Sequence, residues 1–366
     1  MKILKTPWTL ATVGVLVITS AFVRSVVTSP PEESTFLFLG DTLLGDRAEP
    51  MLEENGYSWA FEKLPDLGAP DLTILNAEGP LTDRYEVPAD VYYWPGSPTA
   101  RYDITTSRGL VTRYIYRSSP RSADAFRSLG VDLATLSNNH VLDQGRAGLA
   151  DTQAALAASG VIPIGGGQNA SEAAKPYIYE TPSGRVAVFS FGEVGATSPD
   201  ATAETAGIRG LTTANVDAAV TAARAANAQW WIAVVHWGNN YEPVLETQEV
   251  WARRLEGRGF DLIVGHGPHL AQPITRLGNT PVVYSVGNFV FLTEGRYDAE
   301  HEGFSLAVTA VLGTRGFREL RVTCLQTDNT VVQYQTRACT DADAQRVLPG
   351  LVPGIVVEGA VGTIKW

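Results

Sequence analysis

The sequence predicts an α/β domain whose working residues gather where strands end. Three observations point there. Short apolar runs alternate with amphipathic segments along the chain. Six of those runs close in Asp, Glu, Asn or His. The composition, 45% hydrophobic and only 18% charged, is that of a chain that buries a core. The candidate strands are Thr35–Leu39, Leu72–Asn76, Leu133–Leu136, Val186–Phe191, Trp230–His236, Leu262–Val264 and Val282–Val286. The candidate helices are Ser122–Leu129, Arg146–Ser159, Thr213–Ala228 and Thr247–Arg258. Apolar runs this short fit strands covered on both faces, and their alternation with helices fits βαβ units.

The ends of the chain read differently. Lys2 and Lys5 precede a largely apolar run from Trp8 to Val23, and Arg24 follows it. That length is short for a membrane span and suits a signal peptide or a signal anchor. We expect an uncleaved single-pass anchor with its basic end in the cytoplasm and the domain outside. Pro30, Pro31, Glu32 and Glu33 then read as a linker. The organisation expected is therefore 1–33 anchor and linker, 34–315 main domain, and 316–366 a small β extension without helix. Residues 84–117, rich in Tyr, Trp, Arg and Pro, read as a long loop that covers a site or decorates the surface.

The net charge of −11 excludes a sequence-independent nucleic-acid binder, which needs a basic surface. Arg101, Arg108, Arg113, Arg117 and Arg121 form either a local basic patch or a solvated face. Cys324 and Cys339 are the only cysteines, so a thiolate metal site is excluded. In an oxidising compartment they would form a disulfide; otherwise they are two thiols in a β hairpin.

The strand ends carry the chemistry. The runs close in Gly40-Asp41, Asn76-Ala77-Glu78, Ser137-Asn138-Asn139-His140, His236-Trp237-Gly238, Gly265-His266-Gly267-Pro268-His269 and Gly287-Asn288. Ligands of α/β sheets bind beyond the carboxyl ends of strands. The chain has five histidines, and His140, His236, His266 and His269 all lie in these loops. Imidazole, carboxylate and amide oxygen together suit Zn, Mn or Fe(II). Asp41, Glu78, Asn139, His236, His266 and His269 exceed the four ligands of one structural zinc, so two divalent ions are expected, with Glu78 as the bridge. His140 is then the general acid or base. Asn138, Asp143, Trp237, Asn240 and Asn288, with Tyr93 and Trp94 from the aromatic stretch, are the candidate substrate contacts.

These stretches resemble the CapA (poly-γ-glutamate capsule synthesis) family of the calcineurin-like metallophosphoesterase superfamily. The resemblance rests on Gly40-Asp41-Thr42, Asn76-Ala77-Glu78-Gly79-Pro80-Leu81-Thr82, Leu136 through Gly145, His236-Trp237-Gly238, Gly265 through His269, and Tyr284 through Phe291, in the family's order. It implies a four-layer α/β/β/α sandwich with a dimetal site at its edge. Asp41 would be the first ligand, Glu78 the bridging carboxylate and Asn139 the motif Asn. His236, His266 and His269 would be the remaining ligands, and His140 the substrate-facing His. It also implies polymer synthase or export partners and an anionic polymer or peptide substrate. The chain departs from the pattern in three ways. No D-x-H histidine follows Asp41, Asn240 stands where the family usually has Glu, and the aromatic insert is long. Three functions stay open at this level: an accessory of capsule or wall polymer synthesis, a stand-alone metal-dependent hydrolase or peptide epimerase, and a non-catalytic binding module.

Overall fold

The computed structural model describes residues 33–45, 48–85, 92–93, 100–106, 109–195, 197–291, 297 and 302–366, with only the backbone strands described within 92–113. Two mixed sheets carry the domain. In the larger, strand Ser34–Leu43 is central. It runs parallel to Leu72–Ala77 on one side, and antiparallel to Phe304–Gly313 on the other. Leu133–Thr135 and Ile162–Ile164 extend the parallel half. In the smaller sheet, Gly184–Gly192, Trp230–His236, Leu262–His266 and Thr280–Val283 are parallel neighbours, with Tyr177–Thr181 and Ile274–Leu277 antiparallel at the edges.

Side chains alternate across a strand, and the core follows that alternation. Phe36, Phe38, Leu72 and Ile74 of the large sheet pack with Val186, Val188, Ile232, Val234 and Val264 of the small one. Leu37, Leu39 and Leu75 face the other way, onto Ala123, Ala125 and Phe126 of helix Ser122–Ser128 and Leu149 and Leu156 of helix Gly145–Ala158. The small sheet turns Ala187, Phe189, Ala233, Val235 and Ile263 outward onto helices Thr213–Ala225 and Glu246–Glu256. Two sheets thus share one core, and each is backed by helices on its outer face. A fully buried Phe or Val contributes about 1.5–3 kcal/mol, so this double-sided burial selects the register.

The helices start and stop close to where the sequence places them. Thr212 caps the helix Thr213–Ala225, its hydroxyl accepting from Asn215 N. Other expectations are corrected. Residues 84–117 are not one loop: Tyr92–Tyr93, Ala100–Thr106 and Gly109–Ile115 form a three-stranded antiparallel sheet. Tyr102, Ile104, Val111 and Tyr114 are strand-favouring residues. The tail after 315 is not free of helix either. It holds Asp341–Leu351, whose Ala344 and Leu348 join the intersheet core. Its strand Gly316–Gln326 pairs along Phe304–Gly313 within the large sheet. Cys324 and Cys339 form a disulfide with Cα atoms 5.4 Å apart. Among the described residues no helix is long and apolar enough to cross a membrane; the expected anchor, Trp8–Val23, lies outside them.

Candidate metal centre

The parallel strands of both sheets bring their carboxyl ends to one edge. Strand Ser34–Leu43 does not stop before Asp41, as the sequence suggests, but continues through it with a bulge on each side of that residue. Bulges re-aim side chains beside active sites. Gly40 permits this one: a Cβ there would stand 2.0 Å from Gly287 O, and Asp41 N donates to the same carbonyl at 3.0 Å. In the small sheet, His236 and His266 are register partners. Gly265 is required beside them, because a Cβ would stand 1.9 Å from Tyr284 O. His269 sits at φ 58°, a conformation that costs a non-glycine residue energy and that clusters at functional sites.

The result is a buried polar cluster. Asp41, Glu78 and His269 offer ligand atoms all within 4.8 Å of one another. His269 Nδ1 lies 3.3 Å from Asp41 Oδ2, and His269 Nε2 lies 3.6 Å from Glu78 Oε1. His266 Nδ1 lies 3.5 Å from Asp41 Oδ1, and His140 Nε2 lies 3.9 Å from Glu78 Oε1. His236 joins through Asn76, whose Nδ2 is 3.3 Å from His236 Nδ1, 2.8 Å from Asp41 Oδ1 and 3.4 Å from Glu78 Oε2.

Charge in this cluster is unbalanced. Burial alone would raise the Asp41 carboxyl, but the imidazoles of His266 and His269 beside it hold it well below the usual carboxylate range. Burial, then the charge of Asp41, pushes Glu78 well above that range. Burial takes His236 down to about 3, against the opposing pull of Asp41. A neutral imidazole and a carboxylate are the forms that bind metal. Among the described residues, four buried polar atoms of this cluster have no hydrogen-bond partner: Glu78 Oε1, Asn139 Oδ1 and both ring nitrogens of His266. Buried polar atoms are nearly always paired; the two oxygens and whichever His266 nitrogen carries no proton are lone-pair donors, and these fit a cation. Glu78 Oε1 faces both His140 and His269, which suits a carboxylate shared between two positions.

Several candidate substrate contacts are buried and bonded within the protein. Trp237 is 1% exposed, and its indole N–H donates to Tyr284 O at 2.8 Å; it fills the core behind the site. Asn138 is fully buried. It donates to Asn76 Oδ1 and Ala77 O and accepts from His140 N, so it shapes the turn that presents Asn139 and His140. Asp143 Oδ2 lies 2.6 Å from His140 Nδ1 and accepts from Tyr116 N at 2.7 Å. Asn288 Oδ1 lies 2.9 Å from His269 Nδ1, while its Nδ2 donates to Tyr297 OH. Asn240 is exposed on the loop after His236. For Tyr93 only the backbone strand is described, and Trp94 lies outside the described residues. Of the arginines in the expected patch, Arg117 and Arg121 are described and engage Glu49 and Glu53.

Three contributors escape the sequence reading. Asn76 is the hub, its amide touching both carboxylates and a histidine. Tyr116 packs its ring 4.3 Å from His140, and Phe291 packs 4.9 Å from His269. The signal for Asn76 was present, since a carboxamide in the last turn of a buried strand needs polar partners. Nothing in local patterning marks the two aromatic rings.

Comparison with known proteins points to one family. A family model described as bacterial capsule synthesis protein PGA_cap matches residues 35–293. The PGA biosynthesis protein CapA of Bacillus subtilis is 27% identical over 259 residues, 69% of this chain and 62% of that protein. The capsule biosynthesis protein CapA of Bacillus anthracis is 26% identical over 268 residues, 71% of this chain and 60% of that one. A probable polyglutamine synthesis accessory protein of Mycobacterium tuberculosis is 30% identical over 200 residues, 52% of each chain. The matches thus span about three-fifths or less of these relatives' own length. Among solved structures, a phosphatase from Mycoplasma pneumoniae overlays 83% of this chain and 98% of its own at 12% identity and a TM-score of 0.48, a likeness too loose to carry functional weight.

Proposed function

The chain belongs to the bacterial capsule synthesis protein family, and from that membership we propose that it is a membrane-anchored, extracytoplasmic accessory of capsule or wall polymer synthesis or export. Poly-γ-glutamate or a related anionic polymer is the substrate class, and the polymer's synthase and export proteins are the partners. The Cys324–Cys339 disulfide supports an oxidising compartment, and the basic-apolar start of the sequence supports the anchor.

The observation that carries the reading is the convergence of two buried carboxylates with His266 and His269, and of His236 through Asn76, around four unpartnered polar atoms. Asp41, Glu78, Asn139, His236, His266 and His269 would hold two divalent ions of the Mn, Zn or Fe type. Bound there, such ions supply Lewis acidity toward a carbonyl or phosphoryl oxygen. The chain's own residues do the rest. Asp143 engages His140 Nδ1, which leaves Nε2 as the atom that takes or gives a proton. Tyr116 packs against the imidazole and fixes its plane.

That same dyad favours a second reading, a stand-alone hydrolase or peptide epimerase in which His140 moves the proton. Purified full-length protein should contain about two equivalents of divalent metal. Incubating it with poly-γ-glutamate, p-nitrophenyl phosphates and peptides, with and without chelator, separates the readings. Chelator-sensitive change in the polymer supports the first, turnover of the small substrates alone supports the second, and a chain without metal refutes both.

A further inference from the structure

Two buried carboxamides outside the ligand set tie together the loops that carry His236, His266 and His269. Gln248 lies in the first turn of helix Glu246–Glu256, and Gln272 lies three residues past His269. They are 0% and 2% exposed. Gln248 Nε2 donates to Gln272 Oε1 at 2.9 Å. Gln248 Oε1 accepts from Leu245 N at 2.9 Å, and Gln272 Nε2 donates to Glu242 O at 3.0 Å. The loop leaving His236 is therefore held at two backbone points, one by the helix that follows it and one by the segment that carries His269.

The loop lies directly on this pair. Gly238 sits at φ 79°, and a Cβ there would stand 2.9 Å from the Gln248 carboxamide. Gln272 N in turn donates to Ser285 O at 2.9 Å, which fastens the pair to the segment leaving strand Thr280–Val283. Two backbone bonds continue the seam toward the ligands, Trp237 N to His266 O at 2.9 Å and Tyr241 N to Pro268 O at 2.8 Å.

Burying two amides costs desolvation that a pair of leucines would not. Apolar side chains would fill the same volume. They would not specify the height of one loop against the other, because only directional bonds do that. The amide pair sits where that height sets the spacing between His236 and the other two imidazoles.

We propose that Gln248 and Gln272 are positioning residues of the metal centre: their paired carboxamides set the His236 loop against the His266–His269 loop so that the three imidazoles meet the same pair of ions. This rests on the metal reading of the site. The test uses full-length protein in detergent, stripped of metal and titrated with Co(II), whose visible bands report ligand number and geometry. The variants are the double Gln248→Met/Gln272→Met and the single Gln272→Glu. Replacing both carboxamides removes their mutual bond without leaving either side chain unpaired, but it strips Leu245 N and Glu242 O of a partner, so the double variant should melt somewhat below the metal-free parent. Its Co(II) affinity should fall roughly 10–100-fold, the range for loss of residues that orient ligands, and its bands should change. Gln272→Glu keeps the acceptor for Gln248 but loses the donor to Glu242 O, and should fall between. Variants that bind Co(II) with parental affinity and bands, whatever their melting temperature, overturn the proposal alone. A parent chain that binds no Co(II) overturns the metal reading with it.

Discussion

His140 Nδ1 and Asp143 Oδ2 lie 2.6 Å apart in a buried pocket, three residues from each other on one turn. The contact leaves Nε2 facing Glu78 Oε1 and assigns the two residues different tasks. Asp143→Asn should lower turnover of whatever substrate is found by about 10²–10⁴-fold, the usual size of an acid–base contribution, with metal content unchanged by elemental analysis. His140→Ala should do the same. Loss of metal in either variant would move His140 into the ligand set.

Asn76 Nδ2 contacts one oxygen of each buried carboxylate, Asp41 Oδ1 at 2.8 Å and Glu78 Oε2 at 3.4 Å. Asn76→Leu removes the amide bonded to Asp41 Oδ1 and Thr135, and the contacts to Glu78 and His236. The expected outcome is metal affinity weakened roughly 10–100-fold, measured by chelator competition. Asp41→Ala and Glu78→Ala should lose metal outright.

Asp261 gives a pH-dependent stability far from the site. Burial raises its carboxyl to about 6, while a bond from Trp231 N works the other way. A folded-state value above the unfolded one means the protonated form is favoured by folding. Its contribution is therefore full below the ordinary aspartate value of about 3.9 and is lost as pH rises through about 6. Asp261→Asn, which keeps the acceptor for Trp231 N, should stabilise the protein above pH 6 by on the order of 1 kcal/mol after allowance for partial exposure. Below about pH 4 the advantage should vanish. Melting curves of both proteins across that range check the sign.

The Cys324–Cys339 bridge closes a segment of 15 residues that includes the short strand Arg337–Ala338. Loop-closure entropy gives such a bridge about 3 kcal/mol. Cys324→Ala/Cys339→Ala should lower the melting temperature in oxidising buffer. The same variant and the reduced parent should then melt alike, and metal binding should be retained, since neither cysteine belongs to the metal cluster.

Much of this arrangement was legible in the chain. Strand Trp230–His236 and helix Thr213–Ala225 lie where apolar patterning puts them, because buried strands and amphipathic helices write their periods locally. The polar strand ends were legible for the same reason. Trp237, between His236 and Gly238, reads from the sequence as a contact; the structure buries its ring in the core behind them. Phe304–Gly313 and Asp341–Leu351 were missed because their roles are set by neighbours distant in sequence.

The sequence by itself determined the alternation of strands and helices and the set of residues able to bind a cation. Only the tertiary structure decided which of them meet, and which act through others. Gly267 N reaches Asp41 across 226 residues, and Asn76 reaches His236 across 160. No local period encodes such distances. They follow from the packing of two sheets on one core, where burial aligns the strand ends and the bulge at Asp41 turns its carboxylate toward the histidines of the other sheet.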